Sequence, residues 1–275
     1  MKNIPRIIDR VLRDVWAITP SAHEAIRNAL EAHLDGNHAA IIDEIEAENR
    51  ARITDADGVA VIPVFGLLGK HLSLMEMACG GCDVDAVGES IDMALADDSI
   101  HSILMHYNSA GGVVTGIPEL ADKIKAAGER KPTVSFTDDQ CCSAAYWLAS
   151  QANHVFATPS SEVGSIGVYI ALLDETERLA QEGVKIETFS AGEFKLAGAS
   201  FKGLTDQDRQ MFQADVDKWH AKFKSAILGK REVAAQVMEG QTFDGEGAVN
   251  ARLVDGLCNS LDQCLAVTSS ARVKG

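Results

Sequence analysis

Ser143 is the residue whose position in this sequence best suits nucleophilic chemistry. It follows residues 133–136, which predict a buried strand, and precedes residues 144–152, an Ala-rich run with helical spacing. At a strand-to-helix junction the first N–H groups of the helix lack partners within the helix, and the helix dipole favours negative charge. A hydroxyl placed there could attack a carbonyl while the Ala144 N–H stabilises the oxyanion. A helix N-cap without chemistry is the alternative interpretation of this serine.

A second junction carries two adjacent glycines. The run N-S-A-G-G at residues 108–112 follows a predicted strand, and Gly111 and Gly112 would let backbone N–H groups approach a ligand without interference from a Cβ atom. A phosphate-binding loop is excluded, because the run has no G-x-G-x-x-G pattern and no Lys-Ser or Lys-Thr follows it. An oxyanion hole and a simple tight turn both remain open.

A serine nucleophile needs a base, and Lys195 is the strongest candidate. No G-x-S-x-G nucleophile elbow is present, and His101, His106 and His154 fall within or beside predicted strands, where a structural role is expected. Lys195 lies among small and apolar residues beyond another predicted strand. It could accept a proton if burial lowered its pKa from about 10.4 towards neutrality. A solvated surface lysine is the alternative.

The cysteines do not predict a metal or redox site. The chain has six of them: Cys79, Cys82, Cys141, Cys142, Cys258 and Cys264. The first two form a C-x-x-C, but no second pair matches the ligand spacing of a zinc site, and no thioredoxin-like context surrounds the motif. We therefore expect reduced thiols, no metal and no cofactor.

Charge and hydropathy narrow the class of partner. The formal net charge of −15 argues against nucleic acid or an anionic membrane surface. The longest apolar runs, such as residues 59–68, are too short to span a membrane, and charges interrupt the N-terminal apolar stretch, unlike a signal peptide. These features predict a soluble, cytoplasmic protein with no membrane span.

The chain divides into two parts. Residues 1–52 show helical spacing and predict an N-terminal helical arm, whereas residues 53–275 alternate strands with helices, which predicts an α/β domain with a mostly parallel sheet. Within the second part, predicted strands lie at residues 59–66, 99–107, 133–136, 155–157, 167–173 and 184–189. Predicted helices lie at residues 84–96, 116–128, 144–152, 175–182 and 205–228.

Four ordered motifs resemble the signal peptide peptidase A family of Ser-Lys peptidases. They are N-S-A-G-G at 108–112, S-A-A-Y-W-L-A-S-Q-A from 143, V-G-S-I-G-V-Y at 163–169 and G-E-F-K-L-A-G at 192–198. The resemblance covers roughly residues 58–265 and implies a crotonase/ClpP-like fold. It further implies a Ser143 nucleophile, a Lys195 general base and an oxyanion hole formed by Gly112 and Ala144. Asn108 and Gly111 are then expected to bind substrate.

The sequence departs from the family pattern at two places. Ala110 stands where the family has Pro, and Cys141-Cys142 replace smaller residues before the nucleophile. Without a predicted membrane span and with a helical arm, the chain is most similar to the tailed-bacteriophage head maturation proteases. That resemblance implies a polypeptide substrate such as capsid, portal or scaffold protein, a homo-oligomer, and a location in the host cytoplasm or the procapsid.

Two other functions remain open at this point. One is a soluble cytoplasmic peptidase that degrades peptides and has no role in capsids. The other is a structural or scaffolding shell protein whose Ser-Lys dyad is vestigial.

Overall fold

The computed structural model describes residues 16–19, 54–73, 76–77 and 80–270. Most of the predicted N-terminal arm therefore lies outside the described residues, as does Cys79 of the C-x-x-C motif.

Strands and helices alternate through most of the described chain. The strands are β1 (Trp16–Ile18), β2 (Thr54–Ala56), β3 (Val59–Phe65), β4 (Leu67–Gly69), β5 (Gly81–Asp83), β6 (Ser102–Ser109), β7 (Gly111–Val113), β8 (Thr133–Cys142), β9 (His154–Ala157), β10 (Glu162–Gly164), β11 (Thr242–Phe243) and β12 (Gly256–Leu257). The helices are α1 (Val84–Ala96), α2 (Ile117–Ala127), α3 (Ala144–Ala149), α4 (Thr176–Gln181), α5 (Asp206–Leu228), α6 (Gly245–Asn250) and α7 (Leu261–Ser270), with a 3-10 turn at Ala235–Val237.

The larger sheet is mostly parallel, as predicted. Its strands run in the order β11-β10-β8-β6-β3-β2, and β9 and β12 extend it from β8. The pairs β3/β6, β6/β8, β8/β9, β8/β10 and β9/β12 are parallel, whereas the outer pairs β2/β3 and β10/β11 are antiparallel. The α/β class with a mostly parallel sheet is therefore confirmed.

Strand β8 organises the larger sheet around the predicted nucleophile. One edge of β8 pairs with β6, while the other edge pairs first with β9 and then, from Gln140 to Cys142, with β10. Because these strands are parallel, their carboxyl ends meet at one edge of the sheet, the usual location of sites in α/β folds. Ser143 follows the last residue of β8 at this edge.

A smaller sheet lies next to that edge. Its order is β1-β7-β4-β5, with β7 parallel to β4 and antiparallel to β1. Strand β7 contains both glycines of the 108–112 run. The glycine loop is thus anchored by strand pairing.

The larger sheet is covered on both faces. Side chains alternate along β6, so Ile103 and Met105 join the main apolar core, and Leu104 joins a second cluster with Phe136 and Cys264. The main core includes the buried faces of α1, α2 and α3, and the second cluster is covered by α7. Both faces of β8 are therefore buried, which fixes the position of its carboxyl end.

Three stretches differ from the predicted secondary structure. Trp16–Ile18 was expected to continue the N-terminal helical arm but forms strand β1. Residues 167–173, predicted as a strand, pair only at Tyr169, and residues 184–189 contain no strand. Strand formation depends on a partner edge, which β-propensity alone does not reveal.

The stacked pair Trp147–Phe223 joins α3 to α5 and yields a stability prediction. The rings lie 4.6 Å apart between centroids with an interplanar angle of 9°, and both are buried. Phe223→Ala should lower the free energy of unfolding by about 3–5 kcal/mol, because it leaves a cavity under α3. Leu228→Ala, at an exposed position of the same helix, should change it by less than about 1 kcal/mol. Chemical denaturation of both variants tests this, and equal small losses would contradict it.

Candidate active site

Ser143 has a backbone conformation that is rare for a residue with a side chain. Its φ is 55° and its ψ is −121°, and its side chain makes no capping hydrogen bond to α3. Ser143 thus occupies the N-cap position of α3, where its carbonyl accepts from the Trp147 N–H at 2.9 Å, but its side chain does not cap the helix. A non-glycine residue in such a conformation costs of order 1–3 kcal/mol and persists only where the surroundings impose it, which happens most often at functional sites.

The surroundings of Ser143 hold it from two sides. The Ser143 N–H donates to the Gly164 carbonyl at 2.7 Å, and the Ser143 Oγ donates to the Gly167 carbonyl at 3.4 Å. All six residues of α3 are buried. The Tyr146 hydroxyl also anchors this helix by donating to the Leu253 carbonyl at 2.8 Å. The position of Ser143 is thus fixed between a paired strand and a buried helix.

The glycine loop is held by a serine side chain. The Ser109 Oγ donates to the Gly66 carbonyl at 2.6 Å and accepts from the Gly111 N–H at 3.2 Å. These bonds rigidify the loop at the place where the Pro of the family pattern is replaced by Ala110. Gly111 has a φ of 109°, a conformation that residues with a side chain rarely adopt.

Gly111, Ser143 and Ala144 lie together. A Cβ atom on Gly111 would lie 3.0 Å from the Ser143 Cβ and 3.1 Å from the Ala144 nitrogen, and it would overlap the Ala17 carbonyl oxygen, so only glycine fits at this position. Gly112 pairs with Leu68 on one side and Ala17 on the other, and a Cβ atom there would overlap the Leu68 carbonyl. The run is therefore not a free tight turn but part of a sheet.

Asn108 and Lys195 stand apart from this cluster. Asn108 is exposed at an irregularity between Tyr107 and Ser109, and its carbonyl accepts from the Gly66 N–H at 2.8 Å. Lys195 is exposed in the turn-rich segment 192–198, and no hydrogen bond joins it to Ser143 in the described part of the chain. The structure thus brings together the predicted nucleophile Ser143, Gly111 and the predicted oxyanion donor Ala144, but not the predicted base.

The histidines have other partners. His106 Nε2 lies 2.8 Å from Asp138 Oδ1, and its ring packs edge-on against Phe65. His101 Nε2 lies 3.2 Å from the Asp57 carbonyl oxygen. These contacts fit the structural roles expected for both residues.

The thiols beside Ser143 are poor nucleophiles. Burial raises the pKa of Cys141 well above its usual range, and burial together with the charge of Glu162 raises that of Cys142 to about 12. A thiol must ionise to attack, so neither competes with Ser143 near neutral pH. Among the residues described here, no cluster of three or more His, Cys, Asp or Glu side chains could hold a metal ion.

The sequence analysis did not predict two features near the site. Strand β1 lies against β7, and Tyr169 pairs with Trp16 on the other edge of β1. The only local signal was the alternation large-small-large in W-A-I, which is too short to predict a strand.

Comparisons with known proteins point to peptidases. A sequence model described as peptidase family S49 matches residues 125–274. The chain is 31% identical over 224 residues to the head-tail preconnector protein GP5 of Enterobacteria phage P21, a match covering 80% of this chain and 45% of that protein. It is 29% identical over 209 residues to the capsid assembly protease C of Escherichia phage lambda, covering 75% and 48%. The chain thus spans about half the length of these curated relatives.

A structural alignment and the hydropathy of the helices are two further observations. A crystal structure of an enoyl-CoA hydratase/isomerase family member aligns with a TM-score of 0.43 and 16% identity, over 82% of this chain and 77% of that one. Within the described ranges, no helix combines the length and hydropathy needed to cross a membrane.

The raised pKa values give a test of which side chain is reactive. Because thiolate formation at Cys141 and Cys142 requires a pH far above neutral, iodoacetamide at pH 7.5 (about one unit below the pKa of a free thiol) should leave both unmodified in the native protein. Unfolding in guanidinium should make both react. Peptide mass mapping measures the modification. Rapid native alkylation with loss of peptidase activity would point to a thiol nucleophile instead.

Proposed function

Since the chain belongs to peptidase family S49, we propose that it is a serine endopeptidase with Ser143 as nucleophile and Lys195 as general base. The observation that carries the proposal is the strained Ser143 backbone, which presents a hydroxyl without a capping role beside Gly111 and the Ala144 N–H. The proposed peptidase domain spans residues 53–275.

In the proposed reaction, the Ser143 Oγ attacks the carbonyl carbon of the scissile bond. Neutral Lys195 takes the hydroxyl proton and then delivers it to the leaving amine as the C–N bond breaks. The backbone N–H groups of Gly112 and Ala144 stabilise the oxyanion. Water then attacks the acyl-enzyme, with Lys195 again accepting the proton, and releases the carboxyl product.

The relatives support a phage substrate. Those that the chain resembles in sequence include a head-tail preconnector protein and a capsid assembly protease. We propose that the substrate is a polypeptide of the assembling phage head, such as capsid, portal or scaffold protein, encountered in the procapsid or the host cytoplasm. A peptidase that degrades peptides and a vestigial shell protein are the alternatives.

The segment that carries Lys195 supports assembly into a homo-oligomer. Between α3 and α5 the chain exposes five large apolar side chains: Leu173, Val184, Ile186, Phe189 and Phe194. Phe189 is 94% exposed, and helix α4 in this segment buries no residue. Clustered exposed apolar side chains mark interaction surfaces. We propose that a second copy of the chain covers this segment and that docking brings a Lys195 to a Ser143.

The dyad predicts two loss-of-function variants. Ser143→Ala removes the nucleophile, and Lys195→Arg replaces the base with a guanidinium that stays protonated. Each should lower kcat/KM for a peptide substrate by about a thousandfold or more while leaving thermal unfolding unchanged. The exposed controls Ser160→Ala and Lys185→Arg should keep full activity. Near-normal turnover by purified Lys195→Arg would place the base elsewhere.

Assembly predicts rescue between inactive variants. If Ser143 and Lys195 come from adjacent chains, mixing Ser143→Ala with Lys195→Ala subunits should restore up to about a quarter of the wild-type activity, because random pairing rebuilds some intact sites. Peptide hydrolysis after co-refolding, with mixing verified by native mass spectrometry, is the measurement. No rescue in mixed oligomers would place the dyad within one chain, and an active monomer would remove the oligomer proposal.

A further inference from the structure

Strand β1 is paired along both of its edges beside Ser143. It runs antiparallel to β7 with Trp16 opposite Val113, Ala17 opposite Gly112 and Ile18 opposite Gly111. On its other edge, Trp16 exchanges two backbone hydrogen bonds with Tyr169, both 2.9 Å long. A three-residue strand thus fills a slot between two parts of the chain that are far away in sequence.

The pairing fixes the direction in which the Ala17 carbonyl points. Backbone groups of successive residues in a strand face opposite edges. Because the Trp16 groups face Tyr169, those of Ala17 face Gly112, and the Thr19 N–H continues the same side by donating to the Ala110 carbonyl at 3.3 Å. The Ala17 carbonyl therefore faces the N–H proposed as an oxyanion donor.

The Ala17 carbonyl oxygen and Ser143 both lie close to Gly111. The position that a Cβ atom would take on Gly111 is closest to the Ala17 carbonyl oxygen, and next closest to the Ser143 Cβ and the Ala144 nitrogen, at 3.0 and 3.1 Å. These three atoms surround one small volume. Ser143 is only 1% exposed while β1 is in place.

The side chains of β1 alternate in size and environment. Trp16 and Ile18 pack in one cluster with Val113, and Leu67, Ala110 and Tyr169 border this cluster. Ala17 points to the opposite face, where it is fully buried in the main core. The slot therefore accepts a small side chain at the position whose carbonyl faces the Gly112 N–H, with large apolar side chains on either side.

We propose that Trp16–Ile18 occupies the substrate groove as a substrate-like strand of the chain itself, with Ala17 at the position of the residue to be acylated. The proposal rests on the proposed peptidase function. It identifies the substrate class as extended polypeptide with a small residue between large apolar ones. An external substrate can pair with β7 and Tyr169 only when β1 has left the groove, so β1 competes with substrate.

A binding experiment tests the occupancy without requiring catalysis. A fluorescent peptide with the sequence of residues 14–20, D-V-W-A-I-T-P, is titrated into full-length Ser143→Ala protein with and without Trp16→Ala and Ile18→Ala. Trp16→Ala with Ile18→Ala removes two packed side chains from β1 and so weakens its hold on the groove. The Kd of the peptide should therefore fall at least about tenfold, because β1 competes with the peptide less well. The control Met93→Ala, an exposed apolar position on α1, should bind like its parent. The same peptide carrying Ala17→Trp should bind at least about tenfold more weakly, because the slot is small at that position.

The outcomes separate this inference from the proposed function. Equal peptide binding by the parent and the loosened variant would overturn the occupancy of the groove. If the double variant fails to unfold cooperatively, Ile18→Ala alone is used with the same criterion. With Ser143 restored, the loosened variant should cleave the peptide between Ala and Ile, as mass spectrometry would show. Tighter binding without cleavage would leave the groove assignment standing and count against the peptidase function.

Discussion

The site depends on the backbone of Ser143, which is held at a positive φ of 55° where β8 ends and α3 begins. Relaxation towards an ordinary conformation would swing either the strand or the helix out of place. Both are held in place, because β8 pairs with β6 as far as Cys141 and with β10 as far as Cys142, and α3 is wholly buried. The bond from Ser143 N–H to the Gly164 carbonyl adds a third restraint. The fold thus tolerates a backbone conformation that lowers its stability, and in this conformation the Ser143 hydroxyl makes no hydrogen bond to the N-terminal end of α3.

The glycine loop is the counterpart of this constraint. Residue 111 must lack a side chain, because a Cβ atom there would overlap the Ala17 carbonyl oxygen and crowd the Ser143 Cβ and the Ala144 nitrogen, and Gly111 meets that need. Gly112 must also lack a side chain, because a Cβ atom there would overlap the carbonyl of Leu68 in β4. The two sheets therefore meet where Gly111 of β7 lies against Ser143 at the end of β8, and strand β1 forms one edge of the smaller sheet. Strand β1 is thus an extended segment that is hydrogen-bonded along both of its edges, to β7 and to Tyr169.

The sequence predicted what depends on local pattern and missed what depends on distant partners. Helix α1 was predicted at its observed bounds, because its apolar spacing is regular and Asp83 caps it. The first half of β8 was predicted, but its second half, D-D-Q-C-C, is polar at first and becomes a strand by pairing with β10. Trp16–Ile18 continues a helical spacing and is a strand only because β7 and Tyr169 flank it. Ser143, Ala144 and Gly111 were predicted at two junctions that the structure places side by side, whereas Lys195 is exposed in a segment that also exposes Leu173, Val184, Ile186, Phe189 and Phe194.

The most direct test of a Ser143 nucleophile is its covalent modification by a fluorophosphonate, followed by peptide mass mapping. This reagent reacts with serines whose hydroxyl is activated by a base and an oxyanion hole, and ordinary hydroxyls do not react. On incubation long enough for the buried Ser143 to become accessible, the native protein should acquire a single adduct on the peptide containing Ser143, and the protein unfolded in guanidinium should acquire none. An adduct on another serine such as Ser165, or no adduct in a preparation that cleaves peptides, would contradict the assignment of Ser143.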